Sequence, residues 1–571
     1  MKAIRLLFML SLLAPLSLSA QQVMWLSSLD STGTGSNSAA KGTAWALLSA
    51  DRKTLTYQIT IAKLQGTLTL AEFEISPSFT PVGSILFNGN TAAGTWTNIP
   101  DSLITYLARK HVYINIRSSI SPAGEIRGYL KGSQFGFTMN IDSTLENSGS
   151  KARGTGWARW DSGAAGGLKY AMTIAGLSSA FNTAHFRWAG NGAILQQVAF
   201  TDSTAIGDWS GSPDSIITVL LHGKVYLNVE TANFSNGEIR GTVTPVGQLA
   251  FESTINGAQA GSGSTGSGTG WAILNSDLSR IRYSVTYARL LGSTFSGGYI
   301  QSNANPSIFQ LPFSSNYASG DWTSFTDANL VDLMKGNLFI NLRSSRNPQG
   351  ELQGALVLSG PVFTAKLDGA QAGTPSVAHG TAWVDNGQDT SRYRVTIAGL
   401  VSSFSAAQFH YLPGGGAVQT IAFTDSTGSG SWLMADSMFA AALRGKLYVS
   451  VQSMTYPGDE IRGNIGLGDL VVTKVEQVSS ETPRNFRLEQ NYPNPFNPTT
   501  AISYQLSAVG NVSLRVFDLL GREVAELVHE RQSPGTYTVT FDAEKISSGI
   551  YFYRLTTGAG QEATRKMVLL K

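Results

Sequence analysis

Four stretches of the chain alternate apolar and polar side chains with a period of two: LTYQITIAKL from Leu55, LKYAMTIAGL from Leu168, IRYSVTYARL from Ile281 and RYRVTIAGL from Arg392. Successive side chains of a strand point to opposite faces, so each stretch reads as a strand with one buried face. Clusters of Gly, Ser and Asn divide these runs and supply turns. Helical periodicity is weak. One helical turn is expected in DSLITYLARK (Asp101–Lys110) and in its counterpart Asp436–Lys446, with the aspartate as N-cap. The pattern predicts an all-β protein.

The alternation is itself repeated. GEIRG stands at Gly124–Gly128 and Gly237–Gly241, GELQG at Gly350–Gly354 and DEIRG at Asp459–Gly463. Their glutamates, Glu125, Glu238, Glu351 and Glu460, lie 113, 113 and 109 residues apart. GTAW or GTGW ends at Trp45, Trp157, Trp271 and Trp383, and a second tryptophan follows at Trp96, Trp209, Trp322 and Trp432. That step is too long for a solenoid unit, so each copy is expected to be a domain of its own, one bead on a string. The beads span 21–133, 134–246, 247–359 and 360–468, each an antiparallel, Greek-key-like β-sandwich. A linker covers 469–485. Residues 486–571 carry further short alternating strands and predict a smaller Ig-like β-sandwich. The eight tryptophans are expected in the core, because every bead must bury a similar anchor.

The two ends add direction. Lys2 and Arg5 precede an apolar run, Leu6–Leu18, then Ser19 and Ala20. This is the pattern of a secretory signal peptide over 1–20, and the run is short for a membrane span. Without those two bases, 39 Lys and Arg face 38 Asp and Glu, with no basic block to hold nucleic acid. The chain has no Cys. Thiolate catalysis, Cys-ligated zinc and disulfide staples are therefore excluded.

Three ordered stretches in each bead resemble chordin-type (CHRD) domains: NGAQAGSG to GTGW (Asn256–Trp271), the central TAHFRWAGNGAIL (Thr183–Leu195), and the YLNVET to GEIRG ending. The resemblance implies His at a central His-x-His pair and in the strand before the last motif. Here the central pair reads Glu72/Glu74, His185/Arg187, Gly298/Ile300 and Gln408/His410, and the later position Arg117, Glu230, Arg343 and Gln452. The tail is similar to the type A C-terminal sorting domain of type IX secretion. The similarity rests on Asn491, Tyr492, Pro493, Asn494, Pro495, Phe496, Asn497 and Pro498, on VFDLLGREV (Val516–Val524), on GTYTVTFDA (Gly535–Ala543), and on SSGIYFYRL with Gly549 and Tyr551. It implies a Bacteroidota-type bacterium, the type IX machinery as partner, delivery to the cell surface or beyond, and attachment to surface lipopolysaccharide after the tail is removed. It is silent on the cargo's activity.

No catalytic constellation emerges. The six histidines, 111, 185, 222, 379, 410 and 529, fall at different repeat positions, and no GxSxG elbow is present. His185 and His410 are the first suspects for a metal, although each copy has at most one of the paired imidazoles. GSGSTGSG (Gly261–Gly268) reads as a β-loop, not a dinucleotide turn. No cofactor is expected. Trp160, Trp188, Tyr299 and Tyr411 recur less regularly and are candidates for an exposed binding surface. Two readings stand: an exported binding or structural protein with an unknown polysaccharide or protein ligand, and a metal-dependent extracellular enzyme with its site in one divergent repeat. For the repeated motif, alternation puts Glu125 and Arg127 on one strand face, with Arg117 beside them. The expectation is a structural clasp joining Glu125, Glu238, Glu351 and Glu460 to Arg127, Arg240, Arg343 and Arg462 or to loop N–H groups.

Overall fold

A computed structural model describes residues 23–570 except 50–51, 134, 162–166, 211–213, 248, 276–277, 291–293, 359–361, 387–389, 413–414, 425, 468–474, 480–485, 493, 497–498, 509, 520–521, 533–534, 544–545 and 558–559. The signal-peptide segment, most of the linker, and Pro493, Asn497 and Pro498 of the tail motif lie outside the described residues.

The first repeat shows the plan. Strands β1 (Val23–Leu29), β2 (Lys41–Leu48), β3 (Thr54–Ala62), β4 (Leu68–Ile75), β5 (Thr80–Ser84) and β6 (Thr91–Thr97) lead to helix α1 (Asp101–Ala108), then β7 (Val112–Ser118), β8 (Ile126–Tyr129) and β9 (Lys131–Ser133). They form two antiparallel sheets in the orders β6-β3-β2-β1-β9 and β5-β4-β7-β8. Alternate residues such as Ile59, Ile61, Phe73, Ile114 and Ile116 fill the space between the sheets. The helix forms where predicted, but its N-cap is Pro100, so Asp101 is the first helical residue and not the cap. In the third repeat Thr326 caps Asp327–Met334 through a box with Asn329.

The repeats are not separate beads. Residues 1–469 form one compact unit and 470–571 a second. Within the first unit two kinds of contact alternate. Strands β2 and β3 pack face to face on Arg153–Asp161 and Gly167–Ala175 of repeat 2, and Ser267–Leu274 and Ile281–Ala288 of repeat 3 pack likewise on His379–Asn386 and Ser391–Ala398 of repeat 4. Helices make the other contacts: Asp101–Ala108 meets Asp436–Leu443, and Asp214–Leu221 meets Asp327–Met334. Repeats 1, 2, 3 and 4 therefore close into a cycle. The sequence pattern does not reveal this, because alternation along a strand shows that a face is covered, not by which domain.

The tryptophans divide accordingly. Trp209 stacks on Phe186 and Trp322 on Phe309 inside their own sandwiches. Trp45 instead joins Met24, Leu26 and Val246, with Trp157, in a cluster between repeats 1 and 2. Trp271 and Trp383 join Ala250, Ile273 and Val362 between repeats 3 and 4. One family of tryptophans builds domains and the other joins them.

The second unit holds two four-stranded antiparallel sheets around a core that includes Leu514, Val516, Val539 and Tyr553.

Candidate functional site

The repeated motif is the seam that closes each sandwich. The backbone of Arg127 bridges Asp30 at the end of β1, Arg240 bridges Asp142, Gln353 pairs with Asn256 and Arg462 with Asp368. Its last glycine lies against the opposing strand: a Cβ on Gly128 would sit 2.3 Å from Ser27 Oγ and 2.5 Å from Ser28 O. Its first glycine has φ +143 at Gly124, +135 at Gly237 and +150 at Gly350, backbone that L side chains rarely adopt. Each of these glycines leaves room for a buried asparagine. A Cβ there would approach Oδ1 of Asn115, Asn228 or Asn341 to 2.3, 2.4 or 2.2 Å. In repeat 4 both partners change together: Asp459 replaces the glycine, Ser450 replaces the asparagine, and the Ser450 hydroxyl donates to the Asp459 carboxylate.

The glutamates turn inward. Glu125, Glu238, Glu351 and Glu460 are all fully buried. Glu125 accepts from the Ser38 hydroxyl at 2.6 Å and the Gln65 N–H at 2.7 Å. Glu238 accepts from Ser150 Oγ at 2.6 Å, Ser178 N–H at 2.7 Å and Thr231 Oγ1 at 2.7 Å. Ser264 donates to Glu351 at 2.8 Å, while Ser376 and the Val401 N–H donate to Glu460 at 2.7 and 2.8 Å. Burial alone would raise the pKa of Glu125, but the hydroxyls of Ser118 and Ser38 and the N–H groups of Gln65 and Gly66 together outweigh it and hold the carboxyl below its ordinary value. Glu238 is lowered in the same way: burial acts against Ser150, Ser178 and Thr231, and the donors win. The serine partner has a signal in the sequence. Ser38, Ser150, Ser264 and Ser376 each stand seven residues before the GT(A/G)W tryptophan.

The arginines go elsewhere. Pairing of β7 with β8 begins at Ile116↔Ile126, so the alternation that governs Arg127 does not extend back to Glu125. The Arg127 guanidinium lies 4.6 Å over the Tyr113 ring, Arg240 4.0 Å over Tyr226, Arg343 4.3 Å over Tyr299 and Arg462 3.7 Å over Tyr448. Arg240 also pairs with Glu146. The acid and base of the motif thus have separate partners.

Around each stacked arginine the outer face of the second sheet carries a polar cluster. In repeat 1 Glu74 accepts from Tyr113, from Asn115 at 2.9 Å and from Arg117 at 2.7 Å. In repeat 2 Glu230 accepts from Arg187 at 2.7 Å and Asn228 at 3.2 Å, and His185 Nδ1 stands 3.7 Å away. In repeat 3 Gln301 accepts from Asn341 at 3.1 Å and Arg343 at 3.0 Å. In repeat 4 the His410 ring stacks 5.0 Å from Tyr448. Strand register corrects one sequence alignment. Glu72, His185 and Gln408 oppose Asn115, Asn228 and Ser450, and the residue opposite Asn341 is Tyr299. The third repeat's pair is therefore Tyr299/Gln301, not Gly298/Ile300, and Ile300 lies in the core. Among the described residues no three His, Asp or Glu side chains gather as a metal-binding group.

None of the four candidate aromatics is fully exposed. Trp160 packs on the cores of repeats 2 and 3, and Tyr299 lies under Arg343. Tyr411 shares a hydrogen bond of 3.3 Å with Ser437. Trp188 lies close to Gly190, where a Cβ would meet the indole at 2.8 Å. In the tail, Asn491 is buried and donates to Thr500 at 2.9 Å, and its N–H donates to the Tyr553 hydroxyl at 2.8 Å. Asn494 Oδ1 accepts from the Val568 N–H at 2.9 Å, and Phe496 is buried in the core. Tyr551 donates to Ser547 O at 2.7 Å beside Gly549, while Tyr492 stands out, 83% exposed.

Comparison with known proteins follows this division. The CHRD domain family profile matches residues 17–130, 136–243, 251–356 and 363–465, and the secretion system C-terminal sorting domain profile matches 490–570. No curated protein matches. Among solved structures, latent PorU from Porphyromonas gingivalis is 10% identical over 59% of this chain and 36% of that one, with a TM-score of 0.13. The tetra-tandem repeat in the extending region of a large adhesion protein is 9% identical over 92% and 97%, with a TM-score of 0.11. The chain thus spans about a third of the length of the first of these. The chain belongs to the CHRD domain family, in four tandem copies, and its type IX C-terminal sorting domain directs it across the outer membrane to the cell surface or extracellular space.

Proposed function

We propose that the four-repeat unit is a non-catalytic binding or structural body displayed outside the cell, without a cofactor. One observation carries this reading: in each repeat the charged groups around the motif are already taken up by partners within that repeat. The glutamates are buried among hydroxyls and N–H groups, and the arginines lie on tyrosines. A catalytic acid or base needs a proton-transfer partner on a reachable substrate. These groups are instead used to close the sandwich. In repeat 2, where His185 approaches Glu230, the Arg187 guanidinium already neutralises that carboxylate. Four homologous surfaces locked in one unit present ligand contacts at fixed spacing, which raises avidity when the spacing fits the partner. The partners proposed are an extracellular polysaccharide or protein and, after tail removal, surface lipopolysaccharide.

The test is metal analysis of the purified chain, followed by a screen against glycans and cell envelopes. Retention on envelope or glycan with no stoichiometric metal supports the reading. Tightly bound stoichiometric copper or zinc would overturn it in favour of the metal-dependent enzyme.

A further inference from the structure

The face-to-face packing of repeats 1 and 2, and of 3 and 4, creates four comparable grooves. Each lies between the start of a β2-type strand in one repeat and the turn before a β6-type strand in its neighbour. Lys41, Arg153, Ser267 and His379 occupy the same place in the four grooves, each two residues before the threonine of GT(A/G)W. In two grooves the neighbour fills the space: the Ser267 hydroxyl meets Thr427 Oγ1 at 2.7 Å, and the His379 ring stacks on Tyr317 at 4.6 Å. The groove of Lys41 stays open as a cavity of ≈ 300 Å³.

Its chemistry is distinct. Ala62 and Ile206 supply an apolar wall, with Ile206 68% exposed. Thr201 and Ser203 line it with hydroxyl-bearing side chains. Lys63 and Asp202 face each other across it at 2.6 Å, 47% and 65% exposed. Both hold left-handed backbone, φ 60 each. Gly176 and Gly399 hold the Lys63 position in repeats 2 and 4, and Gly89 holds the Asp202 position in repeat 1. Arg289 and Ser315 hold the same two positions in repeat 3, at φ 52 and 57, so the conformation belongs to the turns that all repeats share. The Lys41 side chain makes no ion pair among the described residues.

We propose that this groove binds an acidic sugar, the uronate-type residue of an extracellular polysaccharide. This rests on the binding reading above. Lys41 neutralises the carboxylate. Asp202, Thr201 and Ser203 bond the ring hydroxyls, and Ala62 and Ile206 cover the apolar face of the ring. An exposed ion pair such as Lys63–Asp202 exchanges partners at little cost, so both groups are available to the ligand. The cavity has the size of a small-ligand pocket.

The experiment titrates the full chain with glucuronate, glucose and acetate, using ligand-observed NMR. Glucuronate should bind in preference to both others. Lys41→Glu should weaken it by about tenfold or more, as expected for reversing a charge contact. Ile206→Trp should block it, and Arg153→Glu in the comparable groove of repeat 2 should leave it unchanged. Unaltered thermal midpoints show that the variants are folded. Equal binding of glucuronate and glucose, or equal loss in Lys41→Glu and Arg153→Glu, would overturn the site. Envelope or glycan retention that survives Lys41→Glu would overturn the site and leave the binding reading standing. Failure of the unaltered chain to bind any glycan or envelope would overturn both.

Discussion

The hydroxyls of Thr43 and Thr173 meet at 2.8 Å across the buried interface of repeats 1 and 2, and Thr60 and Thr155 meet beside them at 2.7 Å. Thr43 and Thr155 are the threonines of GT(A/G)W, while Thr60 and Thr173 share the third strand's TIA. Each repeat thus gives its partner the same two threonines, and the contact has local two-fold symmetry. Repeats 3 and 4 do likewise, with Thr269 to Thr396 and Thr286 to Thr381, each at 2.7 Å.

A double-mutant cycle tests this pair. Thr43→Val leaves the Thr173 hydroxyl poorly satisfied in a buried interface and should cost roughly 1–3 kcal/mol. Thr43→Val with Thr173→Val removes both polar groups and should be closer to neutral than the single change. Urea denaturation measures both. An additive double variant would show that the two hydroxyls do not interact.

Trp45 tests the joining role of its tryptophan family. Trp45→Ala should destabilise the unit by about 3–5 kcal/mol, as for a buried Trp in a core. It should also increase proteolysis between repeats 1 and 2. Trp209→Ala removes a tryptophan inside one sandwich, so cleavage should fall within repeat 2. Identical fragment patterns would contradict the division of labour.

The motif's first glycine should tolerate change only together with its asparagine. Gly124→Asp alone forces a side chain into Asn115 and should cost about 1–3 kcal/mol. Adding Asn115→Ser copies the Ser450–Asp459 arrangement of repeat 4 and should recover part of that loss. No recovery in thermal midpoint would show that the fourth repeat's pair does not compensate as a unit.

Acid should weaken the clasp. The Glu125 and Glu238 carboxyls titrate below their ordinary value of 4.5 in the folded chain. The folded state thus binds fewer protons than the unfolded one. Their contribution is complete above that value and is lost as pH falls through the depressed folded pKa values. Urea midpoints between pH 7 and pH 3 should fall more steeply for the unaltered chain than for Glu125→Gln with Glu238→Gln. Equal slopes would show that these carboxylates carry none of the acid sensitivity.

Ring closure should depend on Arg52. Its Nε donates to the carbonyl of Leu443 at 3.2 Å, at the C-terminal end of the Asp436–Leu443 helix, and the side chain is buried. A cation there satisfies an open carbonyl and opposes the helix dipole. Arg52→Met should lower stability by about 1.5–3 kcal/mol, the range for a hydrogen bond to a charged group. Hydrogen exchange should then rise first in Asp101–Ala108 and Asp436–Leu443. Exchange that rises elsewhere first would contradict this role.

Much of the fold was legible because it is local. Period-two alternation marked the strands, and the fixed step between Glu125, Glu238 and Glu351 marked the repeats. Other features escaped. Glu125 leaves the expected face because φ +143 at Gly124 turns the chain before strand pairing begins. The pair in the third repeat is Tyr299/Gln301 and not Gly298/Ile300, because no local signal fixes register when the His-x-His landmarks are absent. The sorting motif was readable because it is a contiguous string, whereas the Lys41 groove joins residues from two repeats.

By itself the sequence determined the all-β class, the four copies, the seam motif and the export tail, since each is written in short-range pattern or contiguous motif. Tertiary structure alone decided which surfaces meet. A buried strand face looks the same whether its cover is its own second sheet or a neighbouring domain. Only the packed chain shows that Thr43 faces Thr173, that Arg52 reaches Leu443, and that four repeats close on themselves.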